Sequence, residues 1–145
     1  MNDLLNPYQK NSLRVSLLML EENLRRAKEW LDGREENGIL YYRNLKISEE
    51  TKQQATQRIQ AALELIEKLS SEFELDREFQ SAASILQGDL TINWANLVDT
   101  KSNKLRRYGQ VHPELGDMLD TDIQNLAEIA FNLSTIFGRS KQEKP

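Results

Sequence analysis

The sequence predicts an all-α chain, an antiparallel up-and-down bundle of four main helices, on three observations. Apolar residues recur at alternating spacings of four and three along four long stretches, the period of a helix that turns one face to a neighbour. Capping residues, glycines and prolines bracket those stretches. No segment alternates β-branched and polar residues for long enough to demand a sheet, and no internal repeat suggests a solenoid.

The elements follow in order. Asn6 before Pro7 is a helix start, because asparagine accepts from free N–H groups and proline in the first turn needs no donor. Gly33 is its stop, and Leu13, Leu17, Leu20, Leu24, Ala27 and Leu31 form the first seam. Ser48 caps the second helix toward Glu50 or Thr51, Glu49 and Glu50 suit the dipole, and the seam is Ala55, Ile59, Ala62, Ile66, Leu69 and Phe73. Asp76 is expected to cap a third, shorter helix carrying Phe79, Ala82, Ala83 and Leu86, broken near Gly88 and Asp89. Trp94, Leu97, Val98, Leu105 and Tyr108 then resume the period up to Gly109. Pro113 opens the last helix, with Leu119, Ile123, Leu126, Ala130, Leu133 and Phe137, and Gly138 closes it. Residues 1–138 thus read as one helical-bundle domain and 139–145 as a short charged, disordered tail.

One connection is abnormal. Gly33 to Ile47 is 15 residues long, against about two to eight for helix connections in bundles, and it holds Ile39, Leu40, Tyr41, Tyr42, Leu45 and Ile47. Either it is a strap that packs across the bundle, with a short extended piece, or Tyr41 and Tyr42 offer an interaction surface to a partner or a second copy.

Composition removes several chemistries. With no cysteine, the 145-residue chain has no disulfide, thiolate metal site or cysteine nucleophile. One histidine cannot supply the paired Glu-x-x-His motifs of a di-iron bundle or the ligands of a zincin, so no metal is expected. Neither glycine-rich phosphate loop nor Gly-x-Ser-x-Gly elbow occurs, and no small-molecule cofactor is evident. The N-terminus shows no export signal and no stretch suits a membrane span, so a cytoplasmic protein without membrane contact is expected.

The net charge of −4 is unevenly spread. Asp99 to His112 sets one acid against Lys101, Lys104, Arg106 and Arg107, whereas Pro113 to Phe137 holds Glu114, Asp117, Asp120, Asp122 and Glu128 with no base. A basic corner therefore precedes an acidic helix. Lys104 and Arg106 are candidates for an anion or an acidic partner, and Arg107 with His112 for a catalytic pair: imidazole titrates near neutrality and guanidinium grips a phosphate. The competing reading is structural, with Arg106 and Arg107 capping one helix while His112 and Pro113 begin the next.

Arg107-x4-His112 on a helical chain of this size resembles the motif of HEPN domains, small four-helix proteins that include ribonucleases, toxins and their relatives. INWANLVDTKSNKLRRYGQV, Ile92 to Val111, with LDTDIQNLAEI, Leu119 to Ile129, is also similar to the back half of one HEPN branch. There Ile92, Trp94 and Leu97 match the lead-in, Asn103 the motif asparagine, and Asp122 with Ile123 the closing pair. In that register Ser102 stands where the catalytic arginine belongs and Arg107 where the histidine belongs. The other register keeps Arg107 and His112 but places Gly109 between them and Pro113 directly after.

Two functions are therefore expected of such a chain. The first is a non-catalytic helical bundle acting through protein–protein contacts, as a homodimer or a subunit of a small complex. The second, implied by the HEPN resemblance, is a metal-independent ribonuclease or an inactive relative of one, with Arg107 and His112 acting on RNA.

Overall fold

The computed structural model describes residues 4–140 and is all-α, with one short ribbon as the only sheet among them. The chain falls into two compact units, Met1–Arg77 and Glu78–Pro145.

The first unit is a pair of helices, α1 (Pro7–Leu31) and α2 (Glu49–Glu72), joined through two-residue strands β1 (Glu36–Asn37) and β2 (Tyr42–Arg43). Asn6 starts α1 through a capping box: its side chain accepts from the Gln9 N–H at 2.8 Å while the Gln9 side chain accepts from the Asn6 N–H at 3.0 Å. Gly33, at φ +100°, ends it, and the Arg34 N–H reaches back to the Glu29 carbonyl. Ser48 caps α2 by accepting from Thr51, as its hydroxyl predicts. All six seam residues of α2 are half-buried, and on α1 the seam ends in buried Leu31.

The connection between these helices does contain an extended piece, but it does not strap the helices. β1 and β2 pair antiparallel, Glu36 with Arg43 and Asn37 with Tyr42, and among the described residues of this unit neither strand packs on α1 or α2. Every residue from Asn37 to Ile47 is exposed.

The second unit is built on α3 (Ala82–Val98) and α5 (Leu115–Arg139), with short α4 (Ser102–Leu105) and a 3₁₀ turn (Arg106–Tyr108) between them. Three expectations are corrected here. Ser81, not Asp76, caps α3, accepting from Ser84 at 3.3 Å, so Phe79 lies outside the helix. The helix runs unbroken through Gly88 and Asp89: one mid-helix glycine costs about 1 kcal/mol, too little to break a helix held along its length by a neighbour. And α5 begins at Leu115 and continues past Gly138 to Arg139, so Arg139 belongs to the helix and not to a tail; residues 141–145 lie outside the described residues.

Small side chains set the contact between α3 and α5. Ala127 (1% exposed), Ala130 and Ser134 are buried on α5, and the Ser134 hydroxyl lies 2.8 Å from that of Thr91 and 3.3 Å from the Gln87 carbonyl. Gly138 does not stop the helix, and a Cβ there would meet only the movable end of the Gln87 side chain, 2.5 Å from its Nε2. The expected seam was therefore displaced. Leu126 and Leu133, which share its period, are 50% and 38% exposed, because one step around the helix brings Ala127 and Ser134 to α3 instead.

Ala127→Leu should overpack this contact and lower the stability of the chain by about 1–3 kcal/mol in urea unfolding, while Asn125→Leu, at an exposed position of the same helix, should stay within about 0.5 kcal/mol of the parent.

Candidate functional site

The basic corner begins where α3 ends. α4 has no side-chain cap of its own at Lys101. Asp120 supplies one from α5: its Oδ1 accepts the Ser102 N–H at 2.8 Å and its Oδ2 the Ser102 hydroxyl at 2.6 Å. Gly116 leaves room for the pair, since a Cβ there would lie 3.3 Å from both Asp120 Oδ2 and Ser102 Oγ. Lys101 donates to Gln124 one turn further along α5. These bonds tie the corner to the acidic helix.

Beyond α4 the chain makes one 3₁₀ turn and breaks at Gly109, whose φ of +146° and ψ of 177° lie in a region essentially reserved for glycine. Arg106 and Arg107 each fold back on their own turn, Arg106 Nε donating to the Asn103 carbonyl at 3.1 Å and Arg107 Nε to the Lys104 carbonyl at 3.2 Å. The Arg107 guanidinium also lies 5.9 Å from the Tyr108 ring centroid. Across the break, His112 Nδ1 accepts the Glu114 N–H at 3.1 Å and the His112 carbonyl accepts from Leu115, which opens α5. In the neutral imidazole the proton therefore sits on Nε2.

Lys104, Arg106, Arg107 and His112 are thus all exposed on one short segment, but the bonds of Arg107 and His112 serve separate backbone turns on either side of Gly109, and no hydrogen bond joins the two. The residues that the fold does bring together are Ser102 and Asp120, eighteen positions apart, for which the sequence carries no signal beyond a glycine four residues before the acid. Asp117 and Asp122 lie exposed on the same helix, and among the described residues no group of three His, Asp or Glu is placed to hold a metal ion.

Tyr41 and Tyr42 lie on the ribbon and differ. The Tyr41 ring folds over Gly38, where a Cβ would lie 2.6 Å from its Cε1, and the Arg43 guanidinium sits 4.6 Å from the ring centroid. Tyr42 is 78% exposed. Sequence reasoning missed a third feature, a cleft of about 330 Å³ on the second unit lined by Trp94, Glu128, Phe131 and Asn132, with the Trp94 and Phe131 ring centroids 5.7 Å apart. Its only sequence signal was an aromatic pair too distant to be read together.

Compared with protein-family models, with curated proteins and with solved structures, the chain matches none.

Two outcomes follow. The hydrogen bonds from the Ser102 hydroxyl and N–H hold the Asp120 carboxyl below its ordinary range, with Lys101 adding to the effect. A folded-state value below the unfolded one stabilises the protein above the unfolded pKa and is lost as pH falls through the folded value. The difference in urea midpoint between the parent and Asp120→Asn should therefore be present at pH 7 and shrink below about pH 4; a difference independent of pH would show that the carboxylate charge plays no part. Mixed RNA incubated with the purified chain, with and without EDTA, should remain intact, and EDTA-resistant cleavage that disappears in His112→Ala would instead make Arg107 and His112 a working pair.

Proposed function

We propose that the chain is a non-catalytic helical-bundle protein that works through protein–protein contacts, as a homodimer in the cytoplasm. One observation carries the reading: large apolar side chains line the outward faces of helices whose shared seam is already filled. On α5 these are Leu126, Ile129, Leu133 and Ile136, on α3 Ile85, Leu86 and Ile92, and on α1 Val15, Met19 and Leu20. Leu119, Leu126 and Leu133 recur every seven residues, with Ile129 and Ile136 three residues after the last two, the spacing of a helix that meets a second partner along its length. Apolar side chains gain roughly 25 cal/mol for each Å² removed from water, so a row of half-exposed leucines and isoleucines is a strong incentive to associate.

In this reading the α5 stripe meets a second copy along its length. The basic corner then acts as a structural joint. Arg106 and Arg107 hold the ends of their own turns through Nε, and Lys101 ties the corner to α5.

Sedimentation equilibrium should give a species of twice the 16.8 kDa chain mass at micromolar concentration, dissociating on dilution. A single 16.8 kDa species at every concentration would refute the homodimer.

A further inference from the structure

Two features have no use within the fold of one chain. The first is the turn Gly38–Tyr41 at the end of the ribbon, closed by the Gly38 N–H donating to the Tyr41 carbonyl at 2.8 Å. Its central positions hold Ile39 and Leu40, where turns ordinarily take Gly, Asn, Asp or Pro. Ile39 is 100% exposed and Leu40 95%. The ribbon beneath them is braced: Glu36 accepts from Arg43 at 3.1 Å, Arg34 bonds Glu29, and the Tyr41 ring lies between Gly38 and the Arg43 guanidinium. On so short a braced turn docking costs the rotamer freedom of two side chains but little backbone freedom.

The second is the Trp94–Phe131 cleft. Aromatic walls with a polar rim of Glu128 and Asn132 make the kind of pocket that takes an apolar anchor, and about 330 Å³ leaves room for two branched four-carbon side chains. Charge favours the same match. The helices that carry the cleft hold Asp89, Asp117, Asp120, Asp122 and Glu128 against Arg139 alone, whereas the ribbon and its flanks hold Arg34, Arg43 and Lys46 against Glu35 and Glu36, a small positive excess.

We propose that the ribbon tip of one copy inserts Ile39 and Leu40 into the Trp94–Phe131 cleft of a second copy, with Arg43 facing Glu128 at the rim. Tip and cleft are each exposed on their own unit, and the contact joins copies. A two-fold exchange then makes it twice per dimer, each chain giving a tip and receiving one. This rests on the self-association proposed above and adds a second pair of surfaces to the α5 stripe.

The absence of cysteine makes the test clean. Chains carrying Leu40→Cys mixed with chains carrying Asn132→Cys should form a disulfide-linked heterodimer on mild oxidation, with neither variant alone linking to a comparable yield. Ile39→Ser with Leu40→Ser, at fully exposed positions, should keep the helical circular dichroism and melting profile of the monomer while weakening dimerisation at least about ten-fold. A dimer of unchanged affinity in that double variant, or no cross-link in the mixture, would overturn the tip-in-cleft contact and leave self-association standing. A parent chain that is monomeric at every concentration would overturn both. Tip-dependent binding to vesicles of phosphatidylcholine and phosphatidylserine without dimer formation would overturn it in favour of a lipid surface.

Discussion

Two helices packed side by side share one seam, and each apolar residue off that seam stays in water until something else covers it. That constraint governs both units. α1 and α2 spend their leucines, isoleucines and alanines on a single shared face, which leaves Val15 and Met19 outside it. In the second unit the consequence is larger, because α3 and α5 meet through Ala127, Ala130 and Ser134 and so leave the bigger side chains elsewhere. Close approach selects small residues at the contact. The leucines and isoleucines of α5 are thereby released for a second interface, and the proposed role as an assembly protein follows from that division.

The corner between α3 and α5 shows how a connection can acquire a tertiary cap. α4 is too short to be stable alone, since forming the first turn of a helix fixes several dihedrals for one hydrogen bond. Asp120 offsets this from another element by taking both donors of Ser102. The arginines and the histidine then serve adjacent backbone groups: Arg106 and Arg107 their own turn, His112 the start of α5. A stretch whose composition suggests chemistry is, in its bonding, a sequence of caps around the Gly109 break.

Legibility differed sharply between local and non-local features. The start of α1 at Asn6, the cap at Ser48, the stop at Gly33 and the seam of α2 could be read from spacing, because each depends on residues within one or two turns, whereas Leu20 of the expected α1 seam is exposed. The errors in the second unit share a cause. Gly88 resembles a break and is carried through by α3, while Gly138 resembles a stop and lies inside α5. A glycine in the sequence does not say whether a Cβ is excluded: at Gly88 one would meet open space, whereas Gly33 takes a positive φ.

The sequence by itself determined the all-α class, the caps of the first two helices, the unusual connection between them and the uneven charge, since all of these are set by short-range sterics and hydrogen bonding. Only the tertiary structure decided that Asp120 holds Ser102, that α5 turns Ala127 and Ser134 to α3 and leaves Leu126 and Leu133 exposed, that Trp94 meets Phe131 beside a cleft, and that Ile39 and Leu40 stand at the tip of a ribbon. The reason is physical. A period of 3.6 residues specifies that a helix has an apolar side, but when two adjacent stripes both qualify, the choice falls to the one whose side chains are small enough to let the neighbouring backbone come close.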